Sequence, residues 1–140
     1  MQVSKKMLAL AGVAAVTLAA APAFAHHSFA MFDNQKNVTL EGTVKEFQWT
    51  NPHSWIQLVV KDASGKEVEY SIEGGSPNGL SRAGWKRTSL KPGDKVSIKI
   101  HPLKSGEKGG SFMSATLPDG STLGRTGAQL ASPSQAQTPN

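Results

Sequence analysis

The sequence predicts a small, mainly β domain that closes into a barrel, and three patterns indicate this fold. Short runs in which apolar and polar residues alternate recur between turn residues, as in strands with one buried face. After the third run, Ser76 and Pro77 fit the N-cap and the first position of a short helix. Within the first run the apolar phase shifts by one residue, which predicts a bulge in a strongly coiled strand.

The order of these elements selects one kind of barrel. Alternation and turn chemistry predict strands over residues 38–49, 55–61, 67–73, 95–101 and 111–117. The helix falls between the third and fourth strands, and Gly84 follows it where a left-handed residue is wanted. Three strands, one helix and two strands is the element order of the OB-fold, a five-stranded Greek-key barrel. An open β-sandwich of similar size is the alternative, which the helix and the coiled first strand disfavour.

The first 25 residues are predicted to be a cleaved signal peptide. Lys5 and Lys6 precede an apolar stretch over residues 7–21, and residues 23–25 fit the small-x-small cleavage rule. A membrane span needs roughly 20 apolar residues, so the stretch is short for an uncleaved anchor, which is one alternative. Cleavage after Ala21 or Ala23 is another. We expect a periplasmic or secreted protein with no membrane contact after cleavage.

The chain that remains after cleavage at Ala25 has two predicted parts. Residues 26–123 form the predicted barrel domain, and residues 124–140, rich in Ser, Gln, Pro, Ala and Thr, are predicted to be a disordered tail. Loss of two lysines lowers the Lys and Arg count from 15 to 13 against 10 acidic residues, a net charge of +3. This mild charge does not indicate a nucleic-acid partner. The absence of cysteine from the sequence excludes a disulfide framework and thiol chemistry.

The barrel assignment predicts where a ligand would bind. OB-folds bind through the face of strands two and three and through the loops that follow strands one and four. The predicted ligand-binding residues are Trp49, Asn51, His53, Trp55 and Trp85. Each tryptophan has a structural alternative, which is packing in the core. His53 has one too, since it can cap its turn by hydrogen bonding.

The histidines suggest a metal site, with copper as the candidate cofactor. Cleavage after Ala25 frees the α-amine of His26, which chelates a metal together with its own imidazole or with that of His27. A further imidazole, from His53 or His101, completes an all-nitrogen set that suits Cu(II). The predicted ligands are therefore His26, His27, His53 and His101. The alternatives are a chance histidine pair in a mobile lead-in and, for His101, an ordinary solvated residue.

Catalytic motifs give little support for an enzyme. The sequence contains no Gly-x-Ser-x-Gly elbow and no phosphate-binding glycine loop. The predicted function is therefore a non-enzymatic periplasmic binding module for an unknown small ligand or protein, with a candidate copper site. A protein–protein adaptor and a copper-dependent redox enzyme that uses the N-terminal chelate are the alternatives.

Several short motifs together resemble one known family. They are His26-His27-Ser28-Phe29, Trp49-Thr50-Asn51-Pro52-His53, Gly75-Ser76-Pro77-Asn78, Gly84-Trp85, Leu90-Lys91-Pro92-Gly93-Asp94 and Leu117-Pro118-Asp119-Gly120. In this combination the chain resembles the bacterial exported domain-of-unknown-function family 6152, over nearly all of residues 26–123. The resemblance implies a small β-barrel with a periplasmic or secreted address in a Gram-negative bacterium. The family supplies no catalytic residues that could be assigned to this sequence.

Overall fold

The structure is a computed structural model, and it describes residues 29–125. The predicted signal peptide, His26 and His27 lie outside the described residues, as does the chain beyond Arg125. The elements in chain order are a short 3-10 helix (Phe29–Met31), β1 (Val38–Gln48), β2 (Trp55–Lys61), β3 (Glu67–Glu73), α1 (Pro77–Arg82), β4 (Lys95–Pro102), β5 (Gly109–Thr116) and β6 (Thr122–Gly124). No helix among residues 29–125 is long and apolar enough to cross a membrane.

Five of the strands close a barrel, which confirms the predicted fold. Their order is β3-β2-β1-β4-β5, and a parallel pairing between β3 and β5 joins the two ends of the sheet. The helix α1 lies between β3 and β4, as predicted. The additional strand β6 pairs with the end of β5 and was not predicted. It ends at Gly124, one residue beyond the predicted end of the domain.

Strand β1 serves two sides of the barrel because it coils sharply. It pairs with β2 along one edge and with β4 along the other, and its register with β2 shifts between Val44 and Glu46. This is the bulge that the shift in apolar phase predicted. Gly42 permits the close approach of β2, since a Cβ there would lie 2.6 Å from the carbonyl oxygen of Val59. Such a contact is too short for any side chain, so the position requires glycine.

The core fills the barrel and extends under α1. Strand β4 shows the predicted alternation, with Val96, Ile98 and Ile100 buried between exposed or half-buried neighbours. The helix adds Leu80, and Trp85 follows it with only 2% of its surface exposed. Leu58, Ile72 and Phe112 are among the other side chains that are almost fully buried. With no disulfide to stabilise it, the fold depends on this apolar packing.

The local chemistry of α1 explains how it covers the core. The Ser76 hydroxyl accepts a hydrogen bond from the Gly79 amide at 3.1 Å, so Ser76 is the N-cap and Pro77 is the first helical residue. Gly84 has a φ of +90°, the left-handed geometry that ends a helix. The Trp85 amide then donates to the Leu80 carbonyl at 3.0 Å. This ending directs the Trp85 ring inward.

Candidate functional site

A groove of about 260 Å³ lies on the outer face of β2 and β3, beside the loop of residues 103–108. We call this feature the groove. The residues that matter for its chemistry are Met31, Phe32, Trp55, Glu73, Leu103 and Lys108. Strands two and three, together with the loop between strands four and five, form the usual binding surface of an OB-fold. The groove is therefore the natural candidate for the site.

The lead-in before β1 forms one side of the groove and is held there by backbone hydrogen bonds. The Lys104 amide donates to the Met31 carbonyl at 3.0 Å, and the Asp33 amide donates to the Pro102 carbonyl at 2.8 Å. Between them Phe32 forms a bridge with Leu103 and is 5% exposed. Residues 31–33 are therefore held along this side of the groove.

His53 lies in the β1–β2 loop and has a fixed ring orientation. Its Nδ1 is 3.2 Å from the Gly74 carbonyl oxygen and 3.4 Å from Glu73 Oε1. Because a carbonyl oxygen only accepts, this contact assigns the donor role to Nδ1, and in the neutral ring Nε2 then carries the lone pair. The His53 side chain is 34% exposed, whereas Glu73 is 11% exposed. The arrangement matches that of many metal-binding histidines, which donate their other ring N–H to a carbonyl or carboxylate.

Trp55 lies next to Glu73, the groove residue that contacts His53. It pairs with Glu73 across the β2–β3 ladder, and both side chains line the groove. Its ring is half-buried, so part of its apolar surface is accessible. Glu73 and Met31 come from segments that are far apart in the sequence. Their meeting in one groove depends on how the barrel closes, which local patterns do not report.

The other predicted ligand-binding residues lie in different settings. Trp49 is half-buried and packs edge-on against Phe47, with ring centroids 5.6 Å apart. Asn51 is exposed in the β1–β2 turn, where the Asn51-Pro52 peptide is cis. Trp85 is inside the barrel, where its ring lies 5.3 Å from Phe112 and its indole N–H donates to the Gly124 carbonyl at 2.8 Å. Trp85 therefore occupies the core, the structural alternative, and does not line the groove.

His101 lies at the level of the groove but on another side of the barrel. Ladder pairs connect Trp55 to Glu73, Glu73 to Ser111 and Ser111 to His101. His101 is thus three strand spacings from Trp55, roughly 14 Å along the sheet. Its Nδ1 lies 2.9 Å from the Lys36 carbonyl oxygen. Within residues 29–125 no group of three or more His, Cys, Asp or Glu is arranged to hold a metal ion.

A second concave surface, of about 920 Å³, covers the outer face of β1 and its neighbours. We call it the saddle. Its polar side chains include Glu41, Lys45, Lys61, Glu67 and Lys95, and neither an aromatic ring nor a histidine lines it. Lys45 donates to Glu69 at 2.7 Å, and this hydrogen bond raises the pKa of Lys45. The saddle has the character of a solvated strand face, so the groove is the better candidate for ligand chemistry.

Two further pKa shifts belong to turns and not to the groove. The Ser64 hydroxyl donates to Asp62, and this bond is the main reason that the pKa of Asp62 is lowered. The Ser121 hydroxyl lowers the pKa of Asp119 in the same way. Both carboxylates also accept backbone N–H groups. They stabilise the turns that follow β2 and β5, as aspartate commonly does in turns.

The fold and the groove define a small OB-type barrel with an aromatic-lined surface site. The model of the family described as "Family of unknown function (DUF6152)" matches residues 13–112, so the chain belongs to this family. The match confirms the resemblance seen in the sequence motifs. Comparisons with curated proteins and with solved structures gave no match.

Proposed function

We propose that this protein is an exported, non-enzymatic binding module that holds a copper ion beside the groove. The proposed ligands are the α-amine and imidazole of His26 and the imidazole of His53. The position of Met31 is the observation that carries the proposal. Met31 lines the groove together with Glu73, and Glu73 contacts His53. Five residues separate His26 from Met31 and span up to about 17 Å, and we propose that this length brings His26 to His53.

The chemistry of His53 supports the same conclusion. Its Nδ1–H points to the Gly74 carbonyl, which leaves Nε2 available as a metal ligand. Two nitrogens from His26 and one from His53 make the nitrogen-rich set that Cu(II) prefers. Glu73 stabilises the orientation of His53 and adds negative charge beside a cation. We leave His101 out of the site, because it lies on another side of the barrel.

The test is a Cu(II) titration of the chain that begins at His26, beside a version whose α-amine is acetylated. Acetylation removes the amine from any chelate with the imidazole of His26 or His27. We expect tight binding in the first form and a loss of at least tenfold in the second. Electron paramagnetic resonance would count the nitrogen ligands. Equal, weak binding in both forms would overturn the proposal.

A matched pair of variants tests the contribution of the barrel itself. His53→Ala removes the proposed ligand, whereas His101→Ala removes a histidine whose Nδ1 also contacts a backbone carbonyl. We expect Cu(II) affinity to fall at least tenfold in the first variant and to stay unchanged in the second. Equal losses in both variants would show that the site is not beside the groove.

A second candidate function is an adaptor that docks a protein partner at the groove. Met31 is a large apolar side chain that is 41% exposed, and it lines the groove together with the half-buried Trp55. Exposed apolar surface of this kind is common at protein interfaces. An adaptor would co-purify with its partner, and Trp55→Ala would abolish that association without changing Cu(II) affinity.

A further inference from the structure

Met31 places a sulfur atom in the groove. Its backbone is held by the hydrogen bond from Lys104, and the next residue, Phe32, is anchored by burial and by its bridge to Leu103. The Met31 side chain is nevertheless 41% exposed. The chain therefore fixes the backbone of a methionine without burying its side chain, which places the thioether where a ligand can reach it.

The thioether lies in an environment suited to a soft cation. The half-buried ring of Trp55 and the carboxylate of Glu73 line the same groove. A tryptophan face attracts cations, and the carboxylates of Glu73 and Glu107 outnumber the ammonium group of Lys108 on the same groove. Thioether sulfur is a soft ligand that favours Cu(I), whereas amine and imidazole nitrogens suit Cu(II). The groove thus offers a soft donor, and the nitrogen donor of His53 lies next to it, in contact with the groove residue Glu73.

We infer that the groove binds Cu(I) through the Met31 sulfur, with His53 and the Trp55 face beside it, so that the module retains copper in both oxidation states. This inference rests on the proposed function for the position of the metal. In Cu(I) binding the Met31 sulfur takes the place that the His26 chelate takes for Cu(II). A purely structural Met31, which only covers Trp55, would make no contribution to affinity for either ion.

Selective labelling of methionine gives a test with an internal control. Of the four methionines, Met1 and Met7 lie in the predicted signal peptide, so the chain that begins at His26 keeps only Met31 and Met113. Met113 lies in β5 and does not line the groove. Titration with Ag(I), a soft closed-shell stand-in for Cu(I), would be followed through the two ¹³C-methyl resonances. We expect the Met31 resonance to shift until saturation and the Met113 resonance to stay in place.

Competition titrations then measure the ions themselves. Met31→Leu keeps the size and the apolar character of the side chain but removes the sulfur, and Met113→Leu is the matched control. Under anaerobic conditions with a Cu(I)-specific chelator, we expect Met31→Leu to lose at least tenfold in Cu(I) affinity. Its Cu(II) affinity should equal that of the unmodified chain, and Met113→Leu should change neither.

The outcomes separate this inference from the proposal on which it rests. A stationary Met31 resonance and unchanged Cu(I) affinity, together with chelate-dependent Cu(II) binding, would overturn the inference alone. A shifting Met31 resonance with Cu(II) binding that does not change on acetylation of the α-amine would overturn the N-terminal chelate and leave a soft-metal site. Loss of both signals would overturn both. The labelling measurement needs no variant, so a folding defect would not obscure it.

Discussion

Trp85 packs on the inner side of the barrel sheet, and Trp55 lies on its outer face. Comparing them distinguishes the core, which stabilises the fold, from the groove, which is accessible to a ligand. Trp85 is 2% exposed, contacts Phe112 and donates its indole N–H to Gly124. Trp55 is half-buried and lines the groove beside Glu73. In sequence both are tryptophans next to predicted elements. Only the three-dimensional setting places Trp85 in the core and Trp55 at the groove, the site that we propose for a ligand.

The contrast predicts its largest effect for Trp85→Ala. Removing a buried tryptophan leaves a cavity and typically costs about 3–5 kcal/mol in the free energy of unfolding. The loss would also expose neighbouring rings such as Phe47, which lies 5.7 Å away. Urea denaturation followed by far-ultraviolet circular dichroism measures this cost. A loss below about 1 kcal/mol would contradict the assignment of Trp85 to the core.

A smaller effect is expected for Trp55→Ala. Only part of the Trp55 ring is buried, so we expect a stability loss of about 1–2 kcal/mol from the apolar area that water would regain. The same variant should weaken binding of Ag(I) in the groove, because it removes the aromatic face beside Met31. Identical unfolding experiments on both tryptophan variants make the comparison direct. It breaks down if Trp55→Ala costs as much stability as Trp85→Ala.

The third prediction concerns His101, which shares the level of the groove but not its side of the barrel. His101→Ala removes one hydrogen bond to the Lys36 carbonyl, and a typical hydrogen bond contributes about 0.5–1.5 kcal/mol. Thermal unfolding should show this modest loss. His101→Gln is the control, since its amide N–H groups can still donate, and it should recover part of the loss.

The smallest expected effect is a pH dependence of stability, which arises from two turn aspartates and from neither tryptophan. The pKa values of Asp62 and Asp119 are lowered from 3.8 in the folded state, mainly by the Ser64 and Ser121 hydroxyls. A lowered folded pKa contributes stability above pH 3.8, and this contribution is lost as the pH falls through the folded values. Ser64→Ala with Ser121→Ala should flatten stability against pH in that acidic range. An unchanged slope would mean that the turns do not contribute.

Local sequence patterns predicted the strands and the helix well, because short-range interactions between neighbouring residues determine where these elements begin and end. The cap at Ser76 and the left-handed Gly84 depend on hydrogen bonds and sterics within one turn of helix. The bulge in β1 was visible as a change in apolar phase. In each case the interactions that cause the feature involve only a few neighbouring residues, so the pattern can be recognised in the amino-acid sequence alone.

The groove could be predicted only in part, because its members come from distant segments. Trp55 was expected from the β1–β2 loop, but Glu73 joins it through strand register, and Met31 joins through the bridge between Phe32 and Leu103. The predicted strand ends place His53 and His101 at a similar height along the barrel axis. They do not determine where each histidine lies around the barrel. The strand β6 has only three residues, and its place is decided by pairing with β5.

The hydrogen bond from Trp85 to Gly124 has a practical consequence for recombinant work. It joins residues 39 positions apart, so a fragment that stops at residue 123 would bury an indole N–H with no acceptor. An unsatisfied buried donor costs about 1–3 kcal/mol. Truncated genes should therefore extend through Arg125, whose amide also donates to Met113. Purification tags belong after that residue, since the proposed copper chelate needs the amine of His26 to be free.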